Sequence, residues 1–136
     1  QIKENKCSIL GICVGFQALF HSSNELVHTR GLGLIDGKVE IINKKDKSIE
    51  LPHVGWNSCS IKKKNLIFKK IKNNRDFYFC HSYAVNNLKD NNAVSETFYY
   101  KQFVSAVEKD NIFGVQFHPE KSQLNGLQIL KNFCEN

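Results

Sequence analysis

The chain has 136 residues, a formal net charge of +6 and 41% hydrophobic residues, with 10 Phe among them. That supports about one domain with a packed core. The longest apolar-plus-glycine run, residues 9–16, is too short to span a bilayer, and 11% aromatics with two prolines do not fit a collagen, a coiled coil or a wholly disordered chain.

No secretory signal stands at the start. Cysteines at 7, 13, 59, 80 and 134 are odd in number and form no CxxC pair. This argues against a zinc ribbon or a disulfide scaffold and for a reducing cytoplasm. No metal or organic cofactor is expected, because the His and Cys positions lack ligand spacing. All but two of the 19 basic residues are lysines. A nucleic-acid surface favours Arg with interleaved aromatics, whereas runs such as 43–47 and 62–65 read as solvated loops. Steering of an acidic partner or an anionic substrate stays open.

In chain order, a mostly polar stretch, 1–6, leads straight into an apolar segment. With no Met anywhere, Gln1 is not an unprocessed initiator, and the expectation is a domain whose first part lies elsewhere. Residues 7–13 read as a buried strand and 15–21 as a helix after a sharp turn. Residues 37–43 alternate around Val39 and Ile41 as a strand, with 49–51 as a pairing candidate. Residues 57–61 and 66–68 are weaker strand or short-helix segments. The aromatic run 77–80 is a strand. Residues 93–100, 103–108 and 112–117 form a run of strands, with Asp110-Asn111 as a turn. The spacing of Leu124, Leu127, Leu130 and Phe133 predicts a helix over 122–134, with Cys134 on the same face. The pattern is that of an α/β domain.

The sharpest local feature is Gly11-Ile12-Cys13-Val14-Gly15, after an apolar strand and before a helix. This is a nucleophile elbow with Cys in place of Ser. Glycines two residues either side let the backbone turn tightly and pack against neighbours. The helix N-terminus favours a thiolate and frees backbone N–H groups for an oxyanion. A small buried cysteine among close-packed glycines is the competing reading.

The second feature is Gly114-Val115-Gln116-Phe117-His118-Pro119-Glu120. A nucleophilic Cys needs a base, and the base needs an orienting acceptor. Pro119 restricts its own backbone and that of His118. Alone, His118 reads as a surface or capped histidine and Glu120 as a helix-start acid. Taken with the elbow, both features lie at carboxyl ends of apolar strands, where open α/β sheets place their sites.

Together these stretches resemble the class I glutamine amidotransferases, the group with a Cys-His-Glu triad. The stretch Leu51-Pro52-His53-Val54-Gly55-Trp56-Asn57 narrows the resemblance to the glutaminase-subunit type of imidazole glycerol phosphate synthase. Tyr78-Phe79-Cys80-His81-Ser82-Tyr83 and the glycine-rich stretch 31–39 fit as well, so the resemblance covers essentially the whole chain. It implies one amidotransferase domain over 1–136: a three-layer, flavodoxin-like fold with a mixed central sheet. The first strand–helix units, roughly 60 residues, would be lacking, and with them a glycine-containing loop that supplies a second oxyanion N–H.

The resemblance implies roles residue by residue. Cys13 is the nucleophile, His118 the base and Glu120 its orienter. The Val14 N–H serves the oxyanion, and Gln17, Ser82 and Tyr83 line the glutamine site. His81 is either part of that site or a structural histidine bonding within its strand. His53, Trp56, Asn57 and Lys121 face a partner, although Trp56 also reads as a core tryptophan and Lys121 as a plain surface lysine. The implied substrate is L-glutamine. The implied partner is a (β/α)8 cyclase in a heterodimer serving histidine biosynthesis, without nucleic acid or membrane. Ammonia supply to a sugar-amidating enzyme of surface polysaccharides, and a catalytically inactive partner-binding fragment, are the alternatives.

Overall fold

The computed structural model describes residues 4, 7–42, 49–86, 88 and 91–135. The lysine-rich run 43–47 and most of the opening stretch 1–6 lie outside the described residues. Among the described residues, ten strands and two helices follow in chain order: β1 (Ile9–Ile12), α1 (Val14–Ala18), β2 (Ser22–Ser23), β3 (Thr29–Arg30), β4 (Lys38–Ile41), β5 (His53–Ile61), β6 (Arg75–His81), β7 (Tyr83–Ala84), β8 (Ala93–Tyr99), β9 (Lys101–Lys109), β10 (Ile112–Val115), and α2 (Gln123–Cys134) after a 3₁₀ turn at Pro119–Lys121. The larger sheet has the order β1-β10-β9-β8-β5-β6, and a smaller one runs β3-β2-β4-β7. β1 and β10 are parallel, and the other pairs of the larger sheet are antiparallel, so the sheet is mixed.

Core residues divide between the two faces of this sheet. On one side Phe16, Leu19 and Phe20 of the α1 region pack with Val104, Val107 and Ile112. On the other, Phe77, Phe79, Phe103, Phe113 and Phe117 pack with Ile129 of α2. β9 serves both faces: Phe103 and Val104 point into opposite clusters, and a bulge in the β8–β9 register between Val104 and Ala106 resets the alternation, so that Ala106 rejoins the cluster of Phe103 and Val107 that of Val104. The aromatic bulk interlocks: Phe77 stacks on Phe117 at 4.2 Å, and Phe79 meets Phe103 and Phe117 edge-on at 5.8 Å. Each such ring takes about 2–3 kcal/mol of apolar surface out of water. At Gly114 a Cβ would lie 2.7 Å from Phe16 and 2.8 Å from Leu19, so a glycine there lets α1 settle on the sheet.

Several expectations are corrected. The weak 57–61 segment is the end of a nine-residue strand starting at His53, paired with β6 from His53↔His81 to Cys59↔Arg75. Residues 49–51 and 66–68 are bends and turns rather than strands. α1 is a five-residue helix that ends at Ala18.

Helix α2 buries a face other than its leucine row. Leu124 and Leu127 are exposed, as is Cys134, while Gly126, Ile129 and Asn132 are buried. The reason is local. Gly126 closes on the Pro119 carbonyl, where a Cβ would stand 1.9 Å away, and the Asn132 amide donates to the Ile67 and Lys69 carbonyls at 2.8 and 2.6 Å. These two contacts set the helix rotation, and two leucines are left outside. Among the described residues no helix is long and apolar enough to cross a membrane.

Candidate active site

Cys13 stands between β1 and α1 with φ 51° and ψ −107°. A residue with a side chain in this region is strained by about 1–3 kcal/mol, which surrounding contacts must offset. The contacts are visible. The Cys13 N–H donates to the Val115 carbonyl at 2.9 Å, and the Gln17 N–H to the Cys13 carbonyl at 3.1 Å. At Gly11 a Cβ would stand 2.6 Å from the Gly15 carbonyl oxygen, so the tight turn requires that glycine. Gly15 does not share this reason, because a Cβ there would meet open space.

His118 reaches the same end of the sheet from the neighbouring strand. The parallel register Gly11↔Gly114 and Ile12↔Val115 makes Cys13 and the segment after β10 leave side by side. The His118 backbone is clamped to β6: its N–H donates to the Tyr78 carbonyl at 2.8 Å. Ser122 closes the loop, accepting from the Tyr78 N–H at 2.9 Å and donating to the His118 carbonyl at 2.6 Å. His118 Nδ1 lies 2.7 Å from Glu120 Oε1. A carboxylate accepts, so Nδ1 carries the proton and Nε2 is the basic nitrogen. The His118 side chain is mostly covered, at 19% exposure, and that of Glu120 is 49% exposed.

The surroundings of Cys13 work against the expected thiolate. Burial pushes the Cys13 thiol up from its ordinary value of 9.0. A hydrogen bond from the Val14 N–H opposes this, while Cys80, Glu120 and Glu25 add to the upward push. A helix of five residues carries too little dipole to outweigh desolvation. Cys13 therefore depends on a base to give up its proton, and the Val14 N–H is already directed at its sulfur.

Gln17 and Tyr83 meet: the Gln17 amide donates to the Tyr83 carbonyl at 2.9 Å and to Gln116 Oε1 at 3.1 Å. Ser82 is half-buried beside them, its carbonyl accepting from the Ile42 N–H at 3.0 Å. Trp56 is 49% exposed and edge-on to Tyr78 at 6.0 Å, so it is no core tryptophan. Lys121 Nζ lies 5.7 Å from the centre of the same tyrosine ring. The Cys13 sulfur is 3.8 Å from the Cys80 carbonyl, and Cys80 pairs with Val54 on this exposed face.

His53 and Asn57 depart from the expected outward orientation. His53 is 3% exposed, stacked on Tyr99 at 3.9 Å and on Phe79 at 5.0 Å. The pleat of β5 turns it inward, opposite in sense to Val54 and Trp56. Asn57 is half-buried, and its amide donates to the Phe98 carbonyl at 2.9 Å. His81 also lies inside, with Nδ1 2.7 Å from the Tyr83 carbonyl.

Gln116, the Cys80 carbonyl and Ser122 also stand at the site; they fall in or beside stretches that carried the resemblance, but the sequence did not single them out. Ser122 alone had a trace, as a polar residue at the start of a helix. No group of three or more His, Cys, Asp or Glu side chains suited to a metal ion occurs among the described residues.

The family profile "Glutamine amidotransferase class-I" matches residues 1–136. The chain is 48% identical over 135 residues to the imidazole glycerol phosphate synthase subunit HisH of Methanocaldococcus jannaschii, covering 99% of this chain and 67% of that protein. It is 47% identical over 131 residues to the protein of the same name from Pelagibacter ubique, covering 95% of this chain and 62% of that one. The chain thus spans about three-fifths to two-thirds of these relatives' length. Among solved structures, the glutaminase domain of CTPS from Trypanosoma brucei superposes with a TM-score of 0.67 at 19% identity, over 99% of this chain and 63% of that one. This last likeness is one of fold.

Proposed function

The chain belongs to the class I glutamine amidotransferases, and from that premise we propose that it is the glutaminase subunit of an imidazole glycerol phosphate synthase in histidine biosynthesis. The observation that carries the reading is the strained Cys13 elbow at the end of β1, next to the strand that leads into the His118–Glu120 pair. Its substrate is L-glutamine and its products are glutamate and ammonia.

His118 Nε2 takes the Cys13 proton, which a raised thiol requires. The sulfur attacks the side-chain amide carbon of glutamine, and the Val14 N–H donates to the oxygen that becomes negative. Collapse of this intermediate breaks the C–N bond, and His118 returns its proton to the departing ammonia. Water, deprotonated by His118, then attacks the γ-glutamyl thioester, releases glutamate and restores the thiol. Glu120 holds the Nδ1 proton throughout and balances the charge on the imidazolium. Gln17, Ser82 and Tyr83 line the glutamine site.

Ammonia freed into water becomes ammonium and loses its nucleophilicity. A synthase partner must therefore close over the site. Val54, Trp56, Tyr78, Cys80 and Lys121 supply a half-apolar face next to Cys13, and Trp56 and Lys121 are its partner-facing residues. A (β/α)8 cyclase in a heterodimer, in the cytoplasm, fits this role. His53 and Asn57 support that face from behind. The test is glutamate release with and without the cyclase: turnover rises at least tenfold on complex formation. Equal turnover in both conditions refutes the coupling.

A further inference from the structure

Two buried histidines lie outside the triad. His53 is 3% and His81 6% exposed, and they stand opposite each other in the β5–β6 register with His53 Nδ1 3.1 Å from His81 Nε2. Their hydrogen-bond partners fix which nitrogen carries each proton. The Tyr83 carbonyl can only accept, so His81 must donate from Nδ1. Its Nε2 is then an acceptor, so His53 donates from Nδ1. His53 Nε2 is left to accept, and the Asn57 amide, 3.3 Å away, donates to it. The second Asn57 proton goes to the Phe98 carbonyl at 2.9 Å. Along this line every donor points the same way, from Asn57 toward Tyr83.

The line does not stop at Tyr83. Its carbonyl also accepts from the Gln17 amide at 2.9 Å, whose other proton goes to Gln116 Oε1 at 3.1 Å. The Gln116 side chain is fully buried, and its amide nitrogen lies 3.9 Å from the Cys13 sulfur. One continuous set of contacts therefore joins the start of β5 to the nucleophile. Burial pushes both histidines down to about 4, so each is neutral at pH 7. A second proton on either would set two donors face to face. The aromatic neighbours Tyr99, Phe79 and Phe103 hold the rings in place.

We propose that His53 and His81 form a neutral, tautomer-locked bridge that fixes the Tyr83 carbonyl, and through it the Gln17 and Gln116 amides around Cys13; both are positioning residues for the nucleophile. This rests on the glutaminase reading for its consequence, not for its geometry.

The first measurement is made on the ¹⁵N-labelled full chain at pH 7. Long-range ¹H–¹⁵N correlation reads the tautomer of each imidazole. Both rings carry hydrogen on Nδ1, the minor form of a free histidine side chain; an Nε2–H form at either position overturns the bridge. The second uses His81→Phe, which keeps the ring and removes both nitrogens. A diazoketone analogue of glutamine alkylates Cys13, and its maximal labelling rate falls about tenfold, the loss of roughly one neutral hydrogen bond. His53→Phe gives a smaller fall and releases His81 from its fixed tautomer. Labelling of His81→Phe at the wild-type maximal rate refutes the positioning role. If the wild-type chain itself is not labelled, the glutaminase reading fails, and the tautomers decide the bridge on their own.

Discussion

Acidification should destabilise this fold well before general acid denaturation, through the His53–His81 pair. In the folded chain each stays neutral down to about pH 4, against 6.5 for an unhindered side chain, mainly because burial opposes the charge. Between those values the unfolded chain binds protons that the folded chain does not. Stability is therefore complete above about pH 6.5 and falls as the pH drops toward 4. At roughly 1.4 kcal/mol per pH unit, one histidine accounts for about 2 kcal/mol at pH 5 and about 3 kcal/mol at pH 4. The repulsion of His81 is part of the His53 shift, so the pair loses less than twice that. Against a total of about 5–15 kcal/mol for a domain, the effect is large. Urea unfolding followed by fluorescence at pH 7.5 and 5.0 measures it. The double substitution His53→Phe and His81→Phe should remove most of the difference between the two pH values. Equal wild-type stability at both, or an undiminished difference in the double variant, would mean that the His53–His81 pair does not set this pH dependence.

Other outcomes follow from single contacts. Glu120→Gln should lower glutamine turnover by about 10²–10³-fold with little change in unfolding free energy, because its half-exposed side chain is spent on orienting His118. Gly114→Ala should destabilise by about 1–3 kcal/mol through collision with Phe16 and Leu19, whereas Gly15→Ala, facing open space, should leave the unfolding midpoint nearly unchanged. Ile129→Ala should cost about 2–4 kcal/mol in a urea titration, and Leu124→Ala under about 0.5, reversing what the leucine spacing of α2 suggests.

The strands that lead into Cys13 and His118 were legible because their signals are local. An apolar run ending in Gly-x-Cys-x-Gly leaves few choices, and β10 ends in the same manner before His118. Burial of polar residues was not legible. His53 sits in a stretch with no clear alternation, and only pairing with β6 brings His81 opposite it. Gln116 reads as an ordinary strand-end residue until Cys13 and Gln17 arrive from 99 or more positions away. In α2 the leucine row obeyed helical periodicity, yet Gly126 against Pro119 and Asn132 against residues 67 and 69 decided the rotation. The burial that works against a thiolate at Cys13 is likewise set by distant strands, and the helix after it is little more than one turn long.

The proposed glutaminase depends on Cys13 as its nucleophile. The direct measurement is covalent labelling by the diazoketone analogue of glutamine, with and without the cyclase, mapped by mass spectrometry. The expected result is a single adduct on Cys13, formed faster in the complex and absent in Cys13→Ala. Adducts spread over Cys7, Cys80 and Cys134, or none on Cys13 in the complex, would contradict it.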